Sequence, residues 1–66
     1  MNKREQILEQ LEQVRQDGRT NMLDRNAVQY YANELGCYEL VIFIEDYKND
    51  YGKLIFHKEF PEDFVA

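Results

Sequence analysis

Sixty-six residues suffice for one domain, near the size at which a lone core is only marginally stabilising. With 44% hydrophobic and 14% aromatic residues there is material for a small core, which excludes wholesale disorder. The formal charge of −5 sits entirely in residues 34–66, where eight acidic side chains stand against three basic ones; residues 1–33 balance at five of each.

A surface of that sign repels phosphate backbones and attracts basic partners, and it also keeps an aromatic-rich small protein soluble. The single cysteine, Cys37, excludes an internal disulfide framework and points to a reducing, cytoplasmic setting. No segment approaches the roughly 20 apolar residues of a membrane span. The opening Met-Asn-Lys-Arg-Glu-Gln lacks the apolar region of a signal peptide.

Asn2 to Asp17 reads as a helix. Ile7, Leu11 and Val14 form its apolar stripe with Leu8 at the edge, and Glu, Gln, Lys and Arg fill the remainder. Asn2 is placed to cap the start, with Glu5 three residues later as in a capping box. Gly18 suits the left-handed position just past the end. The stripe is narrow enough for a coiled-coil seam, but barely two heptads is short for one, so a core helix is expected.

Arg19 to Asp24 is a connecting loop, in which Met22 and Leu23 are expected to tuck under the helices. Asp24 is a good N-cap for a second helix, Arg25 to Leu35, ended by Gly36. The stripe of that helix is Val28, Tyr31, Ala32 and Leu35, and Tyr30 falls on the opposite, outward face. Arg15, Arg19 and Arg25 gather around the loop as the one basic spot of the chain. Arg15 there can complement a helix C-terminus, the others can be solvated, or the group can meet a partner.

Leu40 to Ile44 is the longest apolar run, and alone it is compatible with a strand or a helix. On a helix, Leu40, Phe43, Ile44, Tyr47, Tyr51, Leu54 and Ile55 fall within about one third of the circumference, a stripe of about four turns. The alternative pairs residues 39–45 with 53–60 as a hairpin apolar on both faces, which would need a cover on each side. Two helices cannot readily supply both covers. One continuous helix over residues 39–55 is therefore expected, with Ile42 standing outward among Glu45 and Asp46. Beyond it, Pro61 ends regular structure, and Phe56, Phe60 and Phe64 recur every four residues among acids. They can fold back onto the helices or be presented to a partner.

The chain lacks CxxC, HExxH, GxSxG and any glycine-rich phosphate loop. A Cys–His nucleophile pair would have to be Cys37 with His57. The helix start at Cys37 favours a lowered thiol pKa, yet nothing supplies an orienting third group. Glu45 and Asp46 are sequence neighbours on a solvated face, not two carboxylates facing across a cleft. No metal spacing is present. No enzyme activity and no cofactor are expected. The spacing of Ala32, Gly36 and Ile42 fits a helix-turn-helix, but the helix after the turn is apolar and acidic where a base-reading helix is polar and basic, so nucleic-acid binding is disfavoured.

Arg4-Glu-Gln-Ile7, Gly18-Arg-Thr-Asn-Met-Leu-Asp24, Asn26-Ala-Val-Gln29 and Tyr38-Glu-Leu-Val-x-Phe-Ile-Glu45 resemble a family of short proteins from phages and prophages of low-GC Gram-positive bacteria, classed as a domain of unknown function. The resemblance covers about residues 4 to 56; Glu9–Gln13 and the Phe60–Ala66 tail depart from it. It implies a phage origin and the cytoplasm of an infected bacterium, and carries no catalytic residue with it.

The fold expected is all-α, a small three-helix bundle over residues 1–56 with an acidic-aromatic tail over 57–66; two helices and a C-terminal hairpin are the alternative. The function expected is binding of another protein, of host, defence or phage origin, through Ile42, Tyr30, Glu45, Asp46, Phe60, Phe64, Arg19 and Arg25. A homodimer or larger assembly is the next reading, a helix-turn-helix-like regulator the one after, and no membrane is involved.

Overall fold

A computed structural model describes residues 2–64. Among them are four α-helices and no strand: α1 (Lys3–Asp17), α2 (Arg25–Glu34), α3 (Tyr38–Asp46) and α4 (Tyr51–His57). The hairpin alternative is thereby excluded.

The first two helices start and stop where their caps dictate. The Asn2 side chain accepts the Glu5 N–H at 2.8 Å, while its amide donates to the Glu5 carboxylate at 3.1 Å. Those bonds occupy one of the free donors that every helix start exposes. Gly18, at φ 77°, closes α1 in the left-handed conformation that costs glycine least. Asp24 accepts the Ala27 N–H at 3.1 Å to open α2, and Gly36, at φ 75°, turns the chain out of it.

The expected single helix over 39–55 is two helices. Tyr47 leaves helical geometry at φ −130°, ψ 50°, and a single 3₁₀ turn, Lys48–Asp50, separates α3 from α4. Asp46, Asn49 and Asp50 are poor helix-interior residues because their side chains compete for backbone hydrogen bonds. The Arg25 guanidinium, at the start of α2, donates to the freed Lys48 carbonyl at 2.7 Å and so fastens the break. An apolar stripe reports which residues turn inward, and those remain Tyr51 and Leu54 either way.

Ile7, Leu11 and Val14 of α1 meet Val28 and Ala32 of α2, Leu40, Phe43 and Ile44 of α3, and Tyr51 and Leu54 of α4 in one core. Phe43, the largest of the fully buried side chains, stacks on Tyr47 at 5.3 Å and meets Phe60 and Phe64 edge-on, each at 5.5 Å. Of the three recurring phenylalanines, Phe56 stands outward at 68% exposure, while Phe60 and Phe64 are not an outward display. Phe60 and Phe64 fold back, half-buried, because an uncovered Phe43 edge offers them apolar contact. Arg4 lies over both rings and donates to the Phe64 carbonyl at 3.1 Å, holding the segment against α1. The last two residues of the expected tail lie outside the described residues.

Two loop expectations divide. Met22 packs against the core, but Leu23, expected beneath the helices, stands 63% exposed. The Asn21 carboxamide accepts the Leu23 N–H at 2.9 Å, forming a local turn that sends the leucine outward.

Candidate interaction face on helix α3

Leu40, Phe43 and Ile44 turn α3 inward and Val41 is half-buried beside them, which leaves Ile42 facing out. Tyr38 and Ile42, one turn apart, are 59% and 54% exposed. Glu39, Glu45 and Asp46 share this side of the helix. Lys3 approaches Glu39 at 3.8 Å and Lys48 approaches Glu45 at 3.4 Å. The Gln29 amide of α2 also donates to Glu45 at 3.1 Å, and this bond, with Lys48 beside it, holds the Glu45 carboxyl below the usual carboxylate range. Asp46 makes no ion pair among the described residues.

Beside Ile42 lies a crevice of about 160 Å³. Ile7, Phe43, Tyr47 and Phe64 supply its apolar walls, and Lys3, Glu39 and Asp46 its polar mouth. An apolar pair of side chains next to a shallow, acid-edged crevice is suited to docking a protein surface, and it lacks the enclosed, convergent polar groups of a small-molecule site.

The residues expected to bind a partner do not form one surface. Ile42, Glu45 and Asp46 share the outer side of α3. Tyr30 is exposed on the far side of α2, where its hydroxyl donates to Glu34 at 3.2 Å. That carboxylate raises the Tyr30 pKa above the usual tyrosine value. Phe60 and Phe64 belong to the core closure, although Phe64 also walls the crevice beside Ile42 and Asp46. Arg19 pairs with Asp17 and lies over the Tyr31 ring at 4.7 Å, and Arg25 is spent on the Lys48 carbonyl. Arg15 is paired with Glu12, whose carboxyl that bond holds below its usual range. The three arginines thus make no open basic patch. The Ala32–Gly36–Ile42 spacing likewise lacks helix-turn-helix packing, since Ile42 points to solvent rather than into the core.

The helix expected over residues 39–55 begins one residue after Tyr38, so the expected face omits it, whereas α3 starts at Tyr38 itself. Its position one turn before Ile42 on the polar side of the stripe is the signal that places it outside.

Cys37 opens α3 without a side-chain cap and is 2% exposed. Its thiol donates to the Gln13 carboxamide at 3.1 Å, and burial pushes its pKa up, against the lowering expected at a helix start. Burial disfavours the thiolate because the charged form loses its hydration. Among the described residues no three His, Cys, Asp or Glu side chains gather where they could hold a metal ion. No described helix is long and apolar enough to cross a membrane.

Residues 1–59, which include all four helices, match the domain of unknown function DUF5049. The chain belongs to that family. The matched span contains the whole outer face of α3 and stops short of Phe60 and Phe64. No curated protein and no solved structure matches the chain.

Proposed function

We propose that the chain acts by binding another protein through the outer face of α3, without catalytic chemistry of its own. The observation that carries this reading is the pair Tyr38–Ile42, held outward on a helix whose opposite side is fully packed. Tyrosine and aliphatic anchors beside a crevice are what a docking surface concentrates near its centre. The surrounding carboxylates favour a partner that brings lysine or arginine. The lysines now beside Glu39 and Glu45 are exposed, and such pairs are worth too little to resist exchange.

The resemblance to short phage and prophage proteins suggests a host or defence protein as the target, in the cytoplasm of an infected bacterium. Binding there would inhibit or redirect the target by covering its surface.

The test compares wild type with Ile42→Asp, immobilised side by side and exposed to lysate of infected cells. Ile42 is exposed, so its replacement leaves the circular dichroism spectrum unchanged. One or more proteins retained by wild type and lost from the variant are expected. Equal recovery on both surfaces would overturn the assignment of this face.

A further inference from the structure

Helix α4 is lightly held. Of its seven residues only Tyr51 and Leu54 are buried. Among the described residues one hydrogen bond joins it to the chain before Tyr47, from the Tyr51 hydroxyl to the Met22 carbonyl at 2.7 Å. Toward α1 a groove of about 270 Å³ stays open, lined by Leu8, Leu11, Met22 and Ile55 and bordered by the exposed Leu23 and Phe56.

At the break between α3 and α4, local pattern and tertiary contact oppose each other. Leu40, Phe43, Ile44, Tyr47, Tyr51 and Leu54 keep the helical period straight through it. The contact that fastens it, Arg25 on the Lys48 carbonyl, encloses the Arg25 Nε without a hydrogen-bond partner among the described residues. A buried donor left unpaired is costly, and the cost vanishes once the guanidinium returns to water. A segment with two arrangements, each supported by part of the sequence, has the makings of a two-state element.

We propose that α3 and α4 form such an element, bent at Tyr47 in the monomer and straight in an exchanged dimer. In the straight form they join as one helix from Tyr38 to His57, about 30 Å long, and α4 enters the α4 seat of a second copy. The seat identifies its occupant. Once vacated, it fits α4 of another copy through the contacts it makes now, with Tyr51 on the Met22 carbonyl and Leu54 in the core. Phe60 and Phe64, which follow α4 along the chain, travel with it and cover Phe43 of the other copy, beneath its Arg4. No new complementary surface is required, and the charges around the seat face the same side chains as in the monomer. The straightened α4 cannot remain unseated, because Tyr51 and Leu54 would stand in water.

No other protein takes part, so the outcome is independent of the function proposed for the outer face of α3. Wild type, Lys48→Pro and the double variant Asn49→Ala/Asp50→Ala are held at millimolar concentration near the onset of urea unfolding, where α4 leaves its seat. They are then returned to native buffer for sedimentation velocity. Wild type should yield a dimer, and added salt should favour it by screening the repulsion between two chains of −5. Proline suits the first position of a short helix and a preceding residue outside helical geometry, as Tyr47 is, but it breaks a helix interior. Lys48→Pro should therefore match wild type by circular dichroism and stay monomeric. Asn49 is exposed and Asp50 makes no capping hydrogen bond, so alanine at both favours the straight form and should tighten the dimer at least about tenfold. In the wild-type dimer, isotope-filtered spectra should show contacts from Tyr51 of one copy to Met22 of the other, with helical backbone shifts over residues 47–50. A wild type that remains monomeric after this treatment would overturn the proposal. So would a dimer that Lys48→Pro retains, or one without the contact between Tyr51 and Met22 of different copies.

Discussion

The Tyr51 hydroxyl donates to the Met22 carbonyl at 2.7 Å and ties the α1–α2 loop to the start of α4. The ring around that hydroxyl is buried, and burial pushes the phenol from its ordinary 10.0 to about 12. A pKa raised in the folded state means stability that is whole below the unfolded pKa and disappears as pH rises toward the folded one. Between pH 10 and about 12, wild type should therefore lose roughly 2–3 kcal/mol through this group alone. Tyr51→Phe should be about 1 kcal/mol less stable at neutral pH, for want of the hydrogen bond, yet should escape this alkaline loss. Urea midpoints of the two proteins, followed from pH 7 to 12, should cross. Parallel curves would show that the phenol is not enclosed as described.

Helix α3 has no cap of its own, and α1 provides one. Gln10 accepts the Leu40 N–H at 2.9 Å, satisfying a donor that Cys37 leaves free. Gln10→Ala should cost about 1–2 kcal/mol, the penalty for an uncapped, partly buried N–H. Gln10→Glu keeps an acceptor at a helix start and should retain most of the stability. Chemical denaturation of both variants decides; an equal loss would mean that the carboxamide acts through packing rather than as an acceptor.

Two glycines should respond to alanine with opposite signs. Gly52 lies inside α4 with open space where a Cβ would stand, so Gly52→Ala should raise stability by about 0.5–1 kcal/mol. Gly36 is held at φ 75°, so Gly36→Ala should lower it by about 1–2 kcal/mol. For a domain this small each 1 kcal/mol corresponds to roughly 4–8 °C in melting temperature, which scanning calorimetry resolves.

Phe60 and Phe64 stack on one another with ring centroids 5.1 Å apart, and both touch Phe43. Phe64→Ala should destabilise the chain by about 2 kcal/mol, less than a fully enclosed phenylalanine would because the ring is half-buried. Near-ultraviolet circular dichroism should weaken as the stack around Phe43 loosens. Full stability in Phe64→Ala would return these rings to the role of a free aromatic segment.

Much of the architecture was legible because it is local. The Asn2 and Asp24 caps, the glycines at 18 and 36, and most of the inward stripes of α1 to α3 follow from residue type and a period of 3.6; Leu35, expected in the α2 stripe, is instead exposed where α2 ends at Glu34. The break at Tyr47 was not legible, since the apolar period runs through it. Hints lay in Asp46, Asn49 and Asp50, but helix propensity is weak and tertiary contacts commonly override it. Of the face on α3, Ile42 was visible as an apolar residue on the polar side. The crevice beside it was not, for its walls come from three separate segments.

Residue order alone determined that this chain is a small acidic helical protein, and where its first two helices begin and end, because caps and periodicity act over a few residues. Only the folded chain decided that Gln10 caps a helix thirty residues away, that Phe60 and Phe64 cover Phe43, and that Leu23 and Phe56 flank one groove. Those relationships depend on how helices pack against one another, and packing brings together residues whose separation along the chain carries no periodic signal.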